Sequence, residues 1–249
     1  MFIKMRKGPG YVDGQRIRMH GTGPGLTTRN IDTGPVIAPG GLALHYDAGN
    51  PSSYNGGSTW IDLAGGNNLT LTNTTQDVDG GGSVSYDGTA TSSVSNVTLS
   101  LGSGFTIELV AKHLLGGGQG AGDVIKFDGG GGWRGFTVGG GLYSWIVVAN
   151  VDYQQQLQDP APYTSGVWYH YTCVWDAGTA YFYRNGNLTI SAARTSDEGV
   201  TTGNFNVGGN ISTGGYYPGK IAIIRFYERP LDAGEVLNNF NVTKDRFGL

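Results

Sequence analysis

Acidic side chains are the first residues to consider, because paired carboxyls can hydrolyse glycosidic bonds. A retaining glycoside hydrolase needs a nucleophile and an acid/base carboxyl about 5–5.5 Å apart, which on one strand places acids two or four residues apart. Asp77 and Asp79 are two residues apart but lie in a glycine-rich loop. We therefore expect the chain not to be an enzyme. A glycoside hydrolase is kept only as the third candidate function, after the two that are given at the end of this section. No glutamate has an acid at either spacing within a strand-like run: Glu108, Glu198, Glu228 and Glu235.

The histidines and the cysteine do not form a recognisable reactive motif. His20, His45, His113 and His170 are scattered, without the short spacings of a zinc site. Cys173 lies in an alternating run of aromatic residues, which is the pattern of a buried, small apolar residue. Because it is the single cysteine, no internal disulfide can form.

Aspartates in turns could supply the oxygen ligands that calcium prefers. The candidate ligands are Asp47, Asp62 and Asp87, each next to turn-forming residues. The spacing between them is not that of a known calcium loop. The alternative is that each carboxylate holds its own turn through a hydrogen bond to the backbone. Calcium is accordingly the one cofactor that the sequence leaves open.

Aromatic residues in or near loops are the candidate carbohydrate-binding residues, because sugar rings stack on the faces of Trp and Tyr. Tyr216 and Tyr217 follow two glycines and are expected to be the most exposed pair. For each residue the alternative is packing within its own loop. The full set is Trp133, Tyr143, Tyr153, Tyr216 and Tyr217.

Residues 1–37 differ from the rest of the chain in charge and composition. They are rich in Gly and Pro and carry a net charge of +4, whereas residues 38–249 carry −7. With few large apolar residues, this segment cannot build a core of its own. It is either an unstructured tail or an extended arm that docks on the acidic surface of a partner. A nucleic-acid partner is not expected, because the cations have no interleaved aromatic residues. The candidate docking residues are Lys4, Arg6, Lys7, Arg16, Arg18 and Arg29.

The composition predicts an all-β protein. The 249 residues include 45 Gly and 9 Pro, and 11% are aromatic. Interior glycine costs a helix about 1 kcal/mol per residue, so many short strands joined by tight turns are favoured over helices. No apolar stretch approaches the ~20 residues that a membrane-spanning helix needs, so no membrane partner is expected.

Short alternating runs from residue 38 onward predict the strands of a two-sheet sandwich. Phe105, Ile107 and Leu109 alternate on one strand face, and a second alternating run covers residues 169–175. Asn185-Gly186 between two apolar runs is a strong hairpin signal. Near the end, Asp232 and Glu235 have the spacing of a capping box and predict one short C-terminal helix.

Several local motifs occur in an order that resembles the concanavalin A-like lectin/glucanase superfamily, in its laminin-G-like branch. The resemblance covers about residues 40–249. The motifs are Leu44-His45-Tyr46-Asp47-Ala48-Gly49-Asn50-Pro51, Trp60-Ile61-Asp62-Leu63, Tyr86-Asp87-Gly88, Phe105-Thr106-Ile107-Glu108, Val167-Trp168-Tyr169-His170, Tyr181-Phe182-Tyr183-Arg184-Asn185-Gly186, Val207-Gly208-Gly209 and Gly219-Lys220-Ile221-Ala222.

This resemblance implies an antiparallel jelly-roll domain at residues 38–249, with the C-terminal helix and an extended N-terminal arm at residues 1–37. It implies a role in recognition or scaffolding, since the paired-acid motif of the catalytic branches is missing. Some relatives bind calcium, but no complete ligand set is matched. The run at residues 47–51 and the ending at residues 239–249 look like versions of the module in tailed-phage structural proteins.

The leading expectation is therefore a virion structural protein of a phage, either a capsid decoration (cement) protein or a tail appendage. The arm docks to other virion proteins, and the lectin-like domain faces outward. The first residues lack the apolar region of a secretory signal, so we expect assembly in the host cytoplasm and location in the virion. A homo-oligomer is expected in the particle. The second candidate is a lectin module that binds cell-surface glycans for host adhesion.

Overall fold

The computed structural model describes residues 36–89, 91–100, 104–114, 122–129, 132–138, 144–147, 156–193, 200–210 and 215–249. The chain divides into two units, Met1–Val36 and Ile37–Leu249. Residues 1–35, with every candidate docking cation, lie outside the described residues, so the arm stays a prediction. None of the described residues forms a helix with the length and apolarity that crossing a bilayer requires.

The second unit contains two antiparallel eight-stranded sheets, which confirms the predicted jelly-roll sandwich. In sheet A the order is β14-β13-β12-β7-β18-β5-β4, and β1 also pairs with β18. Its strands are β1 (Leu42–Asp47), β4 (Thr75–Asp77), β5 (Ser83–Asp87), β7 (Gly104–His113), β12 (Trp168–Asp176), β13 (Thr179–Arg184), β14 (Asn187–Ala193) and β18 (Pro218–Tyr227).

Sheet B packs against sheet A and has the order β11-β10-β9-β8-β15-β6-β3-β2. A further two-stranded ribbon consists of β16 (Gly209–Asn210) and β17 (Gly215–Tyr216). The strands of sheet B are β2 (Thr59–Trp60), β3 (Leu69–Thr72), β6 (Thr91–Ser100), β8 (Gly122–Gly129), β9 (Gly132–Val138), β10 (Ser144–Val147), β11 (Gln156–Gln158) and β15 (Val200–Val207).

The main core lies between the inner faces of the two sheets. Phe105, Ile107 and Leu109 of β7 are buried there, as the alternation predicts. Tyr171 and Trp175 of the adjacent β12 belong to the same cluster, and the Phe105 and Trp175 rings stack with centroids 6.1 Å apart. Full burial of such aromatic side chains is the main stabilising contribution to a β-sandwich.

The single α-helix of the described residues, α1 (Ala233–Phe247), begins and ends at residues with strong capping chemistry, and a one-turn 3-10 helix lies at Asp79–Gly81. The Asp232 carboxylate accepts from the Glu235 backbone N–H, and the Glu235 side chain accepts in return from the Asp232 N–H, which confirms the predicted capping box. Leu231 and Val236 are buried in one cluster, as a hydrophobic staple requires. Gly248 takes the left-handed conformation that terminates the helix.

Helix α1 covers the outer face of sheet A. Phe247 packs on Trp168 of β12, with ring centroids 5.1 Å apart, over Val110 of β7 and Ala222 of β18. The central strands of sheet A are consequently buried on both faces, which strict alternation does not predict. The outer face of sheet B, by contrast, is not covered by this helix.

The first residues of the body are fixed to α1 and to the connection between β18 and α1. The Ala38 N–H donates to Asn239 Oδ1 at 2.6 Å. The Arg229 guanidinium donates to the Gly40 carbonyl at 3.1 Å and forms a two-pronged pair with Glu235 at 2.7 Å. The place where residue 38 enters the sandwich is therefore held rigidly.

Candidate functional site

The outer surface of sheet B, which we call the polar face, is the best candidate for a binding site. Phe127 of β8, Phe136 of β9 and Phe205 of β15 are buried in the core. Because side chains alternate along a strand, the residues between them belong to the opposite side of the sheet. That side is polar: in β15 it presents Asn204, which is exposed, and Asn206, which is half-buried.

The strand register aligns the polar face into cross-strand rows. Directly paired residues share one face of a sheet and lie close enough to act on one ligand. Three adjacent rows contain Asn204, Asp128 and Trp133 in the first, Asn206, Lys126 and Gly135 in the second, and Asp123, Thr137 and Trp145 in the third.

Two tryptophan positions lie on either side of a glycine in these rows. Trp133 and Thr137 are four residues apart in β9, about 13 Å along the strand, and Trp145 of β10 pairs with Thr137. Gly135 lies midway between them, and a Cβ atom there would collide with the Ile125 carbonyl oxygen of β8. Glycine in a strand often marks a place where another backbone approaches closely, and here that backbone belongs to β8. The distance between the first and third rows is longer than one sugar ring.

Hydrogen-bonding groups surround this glycine. Asn206 and Lys126 are paired with each other in register, and Asp123 is half-buried in the neighbouring row. The Lys126 side chain lies close to the sheet, since the residue is only 8% exposed. Amides both donate and accept hydrogen bonds, carboxylates accept and ammonium groups donate. This set has the types of donor and acceptor that carbohydrate hydroxyls bind, and sequence reasoning did not single out Lys126 or Asn206.

Of the predicted carbohydrate-binding aromatic residues, only Trp133 has a register position in the described rows. Tyr216 is half-buried in the ribbon strand β17, paired with Gly209. Tyr143 and Tyr153 lie outside the described residues. Trp145 was not singled out from the sequence, because it begins a short apolar stretch, and its backbone pairs with Thr137 in the third row.

The expectation that Tyr217 is exposed is wrong, since its side chain is fully buried. The Tyr217 hydroxyl donates to the Lys112 carbonyl at 3.1 Å and lies 2.9 Å from His113 Nδ1. A Cβ at position 219 would collide with the Tyr217 hydroxyl, so Gly219 provides the space for this ring. Burial, followed by nearby tyrosines including Tyr171, raises the pKa of Tyr217 well above 10. Tyr217 is therefore a core residue.

His113 is the centre of a buried cluster and is not available as a catalytic base. Its Nε2 lies 3.2 Å from the Tyr171 hydroxyl, and its ring is 4.6 Å from that of Tyr163. Burial, with a smaller effect of Arg184, lowers the pKa of His113 to about 3. His113 is therefore a buried imidazole packed among tyrosine rings.

The predicted calcium ligands hold turns and ion pairs. Asp47 pairs with Arg246 at 2.6 Å. The Asp62 carboxylate accepts from four backbone N–H groups at 2.8–3.1 Å, and Asp87 accepts from the N–H and hydroxyl of Thr89 at 2.8 Å. In the part of the chain that the structure describes, no group of three or more His, Cys, Asp or Glu residues could hold a metal ion. The three aspartates therefore do not assemble a calcium site there.

Asp77 and Asp79, the one acid pair at a two-residue spacing, share a lysine. Lys220 Nζ lies 2.8 Å from Asp77 and 3.1 Å from Asp79, and Lys112 and Trp168 also donate to Asp79. The hydrogen bond from Lys220 lowers the pKa of Asp77. Burial alone would raise the pKa of Asp79, but the three donors outweigh it and lower that pKa. A general acid needs a raised pKa, so this pair does not have the acid component of a hydrolase site.

Glu108 lies in a buried ion cluster beneath α1. Its carboxylate is bonded by Arg225, lies 3.3 Å from His170 Nε2 and accepts from Asn239 Nδ2 at 2.6 Å. Burial raises the pKa of Glu108, but the Arg225 and His170 groups outweigh it and bring the pKa to about 2. The cluster is closed to solvent and joins the helix to the sheet. Cys173 is likewise buried, which raises the pKa of its thiol and confirms the prediction of a core residue.

Known proteins share this fold. The family model described as the concanavalin A-like lectin/glucanases superfamily matches residues 84–237. No curated protein matches the sequence. Among solved structures, Trypanosoma rangeli sialidase is similar with a TM-score of 0.61 at 12% identity, over 88% of this chain and 35% of the sialidase. The binding domain of botulinum neurotoxin serotype G is similar with a TM-score of 0.61 at 15% identity, over 80% of this chain and 50% of that domain.

The sialidase neighbours contradict the expectation that the chain is not an enzyme. That expectation relied on the fold being used for recognition in the absence of a paired-acid motif, whereas here the fold occurs within chains that are sialidases. The chain spans about a third of the sialidase and half of the toxin binding domain. At these identities the likeness shows the fold alone. Because the family model covers more than half of its residues, the chain belongs to the concanavalin A-like lectin/glucanases superfamily.

Proposed function

We propose that the chain is a glycan-binding module and that the polar face of sheet B is its binding surface. The observation that carries the proposal is the row pattern in which the Trp133 and Trp145 positions flank Gly135, among paired Asn, Asp and Lys residues. Aromatic rings provide apolar contact with sugar rings, and the amides and carboxylates bind hydroxyls.

The charges on the polar face favour a neutral oligosaccharide. Asp123 and Asp128 contribute two negative charges, and Lys126 contributes one positive charge. An acidic sugar would be repelled by the carboxylates, whereas hydroxyls are good partners for them. Two tryptophan positions separated by about 13 Å along β9 favour a ligand of more than one sugar.

The family and the neighbours support a binding role at the level of the fold. The superfamily includes lectins by its own description, and two similar structures are the binding domains of botulinum neurotoxins. Both neighbours are longer than this chain, so their activities are not transferred to it.

The test is a glycan array carrying neutral and sialylated oligosaccharides, probed with the full chain and two variants. Asn204→Ala removes an exposed amide from the polar face, and Trp133→Ala removes one aromatic position. Asn241→Ala, an exposed amide on α1, is the matched control. We expect binding to neutral oligosaccharides that is lost or reduced at least about tenfold, about 1.4 kcal/mol, in both face variants and retained in the control. An array without binding, or binding unaffected by both face variants, contradicts the proposal.

We propose as a second function that this module is a virion structural protein, a capsid decoration protein or a tail appendage of a phage. The supporting observation is the charge contrast between residues 1–37 and the acidic body. The body also holds residues 38–40 firmly through Asn239 and Arg229. An arm that continues from residues 38–40 would therefore be firmly connected to the module when it binds a particle. In this arrangement the arm binds other virion proteins and the polar face is available to host glycans.

Particle incorporation tests this second proposal. The full chain and a variant with glutamine at all six arm cations are produced during phage assembly, and purified particles are analysed for the protein. We expect the wild-type chain in particles and the glutamine variant at a much lower level. Equal incorporation of both, or absence of the wild-type chain from particles, contradicts the docking role.

A further inference from the structure

The polar face continues beyond the three rows that surround Gly135, onto the strands on the other side of β15. In β3, Leu69 and Leu71 are buried in the core, and the alternating Thr70 and Thr72 are exposed. Among the outward, paired residues of β2, β3, β6 and β15 whose side chains the structure describes, every one is uncharged and carries a hydroxyl or an amide. They are Thr59, Thr70, Thr72, Ser93, Thr98, Ser100, Thr202, Asn204 and Asn206.

One row of this face crosses six strands. The row that contains Gly135 and Asn206 continues through Ser93 of β6 and Thr70 of β3 to Thr59 of β2. We call Thr59, Thr70 and Ser93 the hydroxyl row. Neighbouring strands lie about 4.8 Å apart, so the five intervals from β2 to β9 make the whole row about 24 Å long. Hydrogen-bonding groups therefore follow one line across the strands, well beyond the tryptophan positions.

The chemistry of the hydroxyl row fits one class of ligand. Nucleic acids are bound through cations, and the cores of protein interfaces are rich in aromatic and arginine residues and poor in serine. Hydroxyls and amides both donate and accept hydrogen bonds, so they can pair with sugar hydroxyls in either role. On the same face, the Thr98 and Thr202 hydroxyl oxygens lie 2.8 Å apart across two strands, which shows that neighbouring hydroxyls come within hydrogen-bonding distance there. A neutral ligand rich in hydroxyls is the partner that this surface matches.

We propose that the hydroxyl row lengthens the glycan site, so that its ligand is a long, linear, neutral oligosaccharide that lies across the strands. This inference rests on the proposed function, because the row extends the surface around Gly135. One end of the ligand lies at the tryptophan positions, and the other end forms hydrogen bonds with Thr59, Thr70 and Ser93. The hydroxyl row therefore selects for the length of the glycan.

Calorimetric titration of the full chain tests this selection for length. The probes are the disaccharide and the hexasaccharide of the neutral series that binds most tightly on the array. We expect the wild type to bind the hexasaccharide at least about tenfold more tightly than the disaccharide, equivalent to about 1.4 kcal/mol. The double variant Thr70→Val/Ser93→Ala should lose this advantage and bind the disaccharide like the wild type. Thr75→Val removes an exposed hydroxyl from β4 of sheet A and is the matched control, which should bind both probes like the wild type.

Hydrogen exchange of the wild type gives a second readout that does not depend on the variants. The hexasaccharide should slow exchange in β3 and β6 as well as in β8, β9 and β15, whereas the disaccharide should leave β3 and β6 unchanged. Equal affinities for the two probes, or a double variant that binds the hexasaccharide like the wild type, overturn the extended site and leave the glycan-binding proposal standing. Absence of binding to both probes overturns the two proposals together.

Discussion

Replacing Asn239 by alanine should be among the most destabilising single changes in the helix. The side chain is completely buried and forms three hydrogen bonds. It accepts from the Ala38 N–H at 2.6 Å and donates to Glu108 at 2.6 Å and to the Tyr227 hydroxyl at 3.0 Å. It therefore joins α1 to two strands of sheet A and to the first residues of the body.

The magnitude follows from the groups that Asn239→Ala would leave without partners. Each buried, unsatisfied polar group costs about 1–3 kcal/mol, and a charged one costs more. Here the Ala38 N–H loses its acceptor and one oxygen of the Glu108 carboxylate loses its donor. Removing a partner from a buried charge cluster typically costs about 3–5 kcal/mol, which we take as the expected loss. For a body of this size it corresponds to a lower Tm by about 6–20 °C.

Urea unfolding followed by tryptophan fluorescence measures this loss, and calorimetry gives the change in Tm. Asn241→Ala, an exposed asparagine of the same helix, is the control and should stay within about 0.5 kcal/mol of wild type. The amide of Ala38 should also exchange faster in Asn239→Ala than in the control. A loss below about 1 kcal/mol, the value of one ordinary hydrogen bond, would refute the view that this residue fastens the helix.

Three further predictions concern the core. Gly208→Ala should lower the free energy of unfolding by about 2 kcal/mol more than Gly57→Ala. Both glycines have a positive φ, but only the methyl group added at position 208 would collide with a ring, that of Tyr86. Equal losses in the two variants would contradict this. Burial lowers the pKa of His113 to about 3 and that of His45 to about 4, so stability present above pH ~6.5 should fall as the pH drops towards these values. In urea titrations, His113→Gln and His45→Gln should lose less stability than wild type over that pH range. Profiles identical to wild type would be evidence against a contribution from these histidines. Cys173 should react with a thiol reagent only after denaturation, and reaction in the native state would contradict its burial.

The fold was accessible from the sequence because its signals are local. The alternation of Phe105, Ile107 and Leu109 reports which strand face meets the core, and it holds in the structure. The Asp232 and Glu235 capping box is set by residues three apart and is also present. Such signals depend on nearby residues only, so one sequence is sufficient to recognise them.

The candidate site was not accessible in the same way, because it depends on strand order. Lys126 and Asn206 are 80 positions apart in sequence and become paired because β15 lies next to β8. Tyr217 looked exposed beside glycines, yet Gly219 gives it room inside the core. The aspartates proposed as calcium ligands needed a common centre, whereas Asp62 is occupied by its own turn. Non-local strand pairing decides the first outcome, packing inside the core decides the second, and a local turn decides the third.

The most direct test of the glycan-binding account is a hydrogen-exchange footprint of the full chain with and without an oligosaccharide selected from the array. The account predicts slower exchange in β8, β9 and β15, around Gly135 and Asn206, with α1 and the outer side of sheet A unchanged. Slower exchange confined to α1 or sheet A, with no change in those three strands, would contradict the assignment of the polar face as the binding surface.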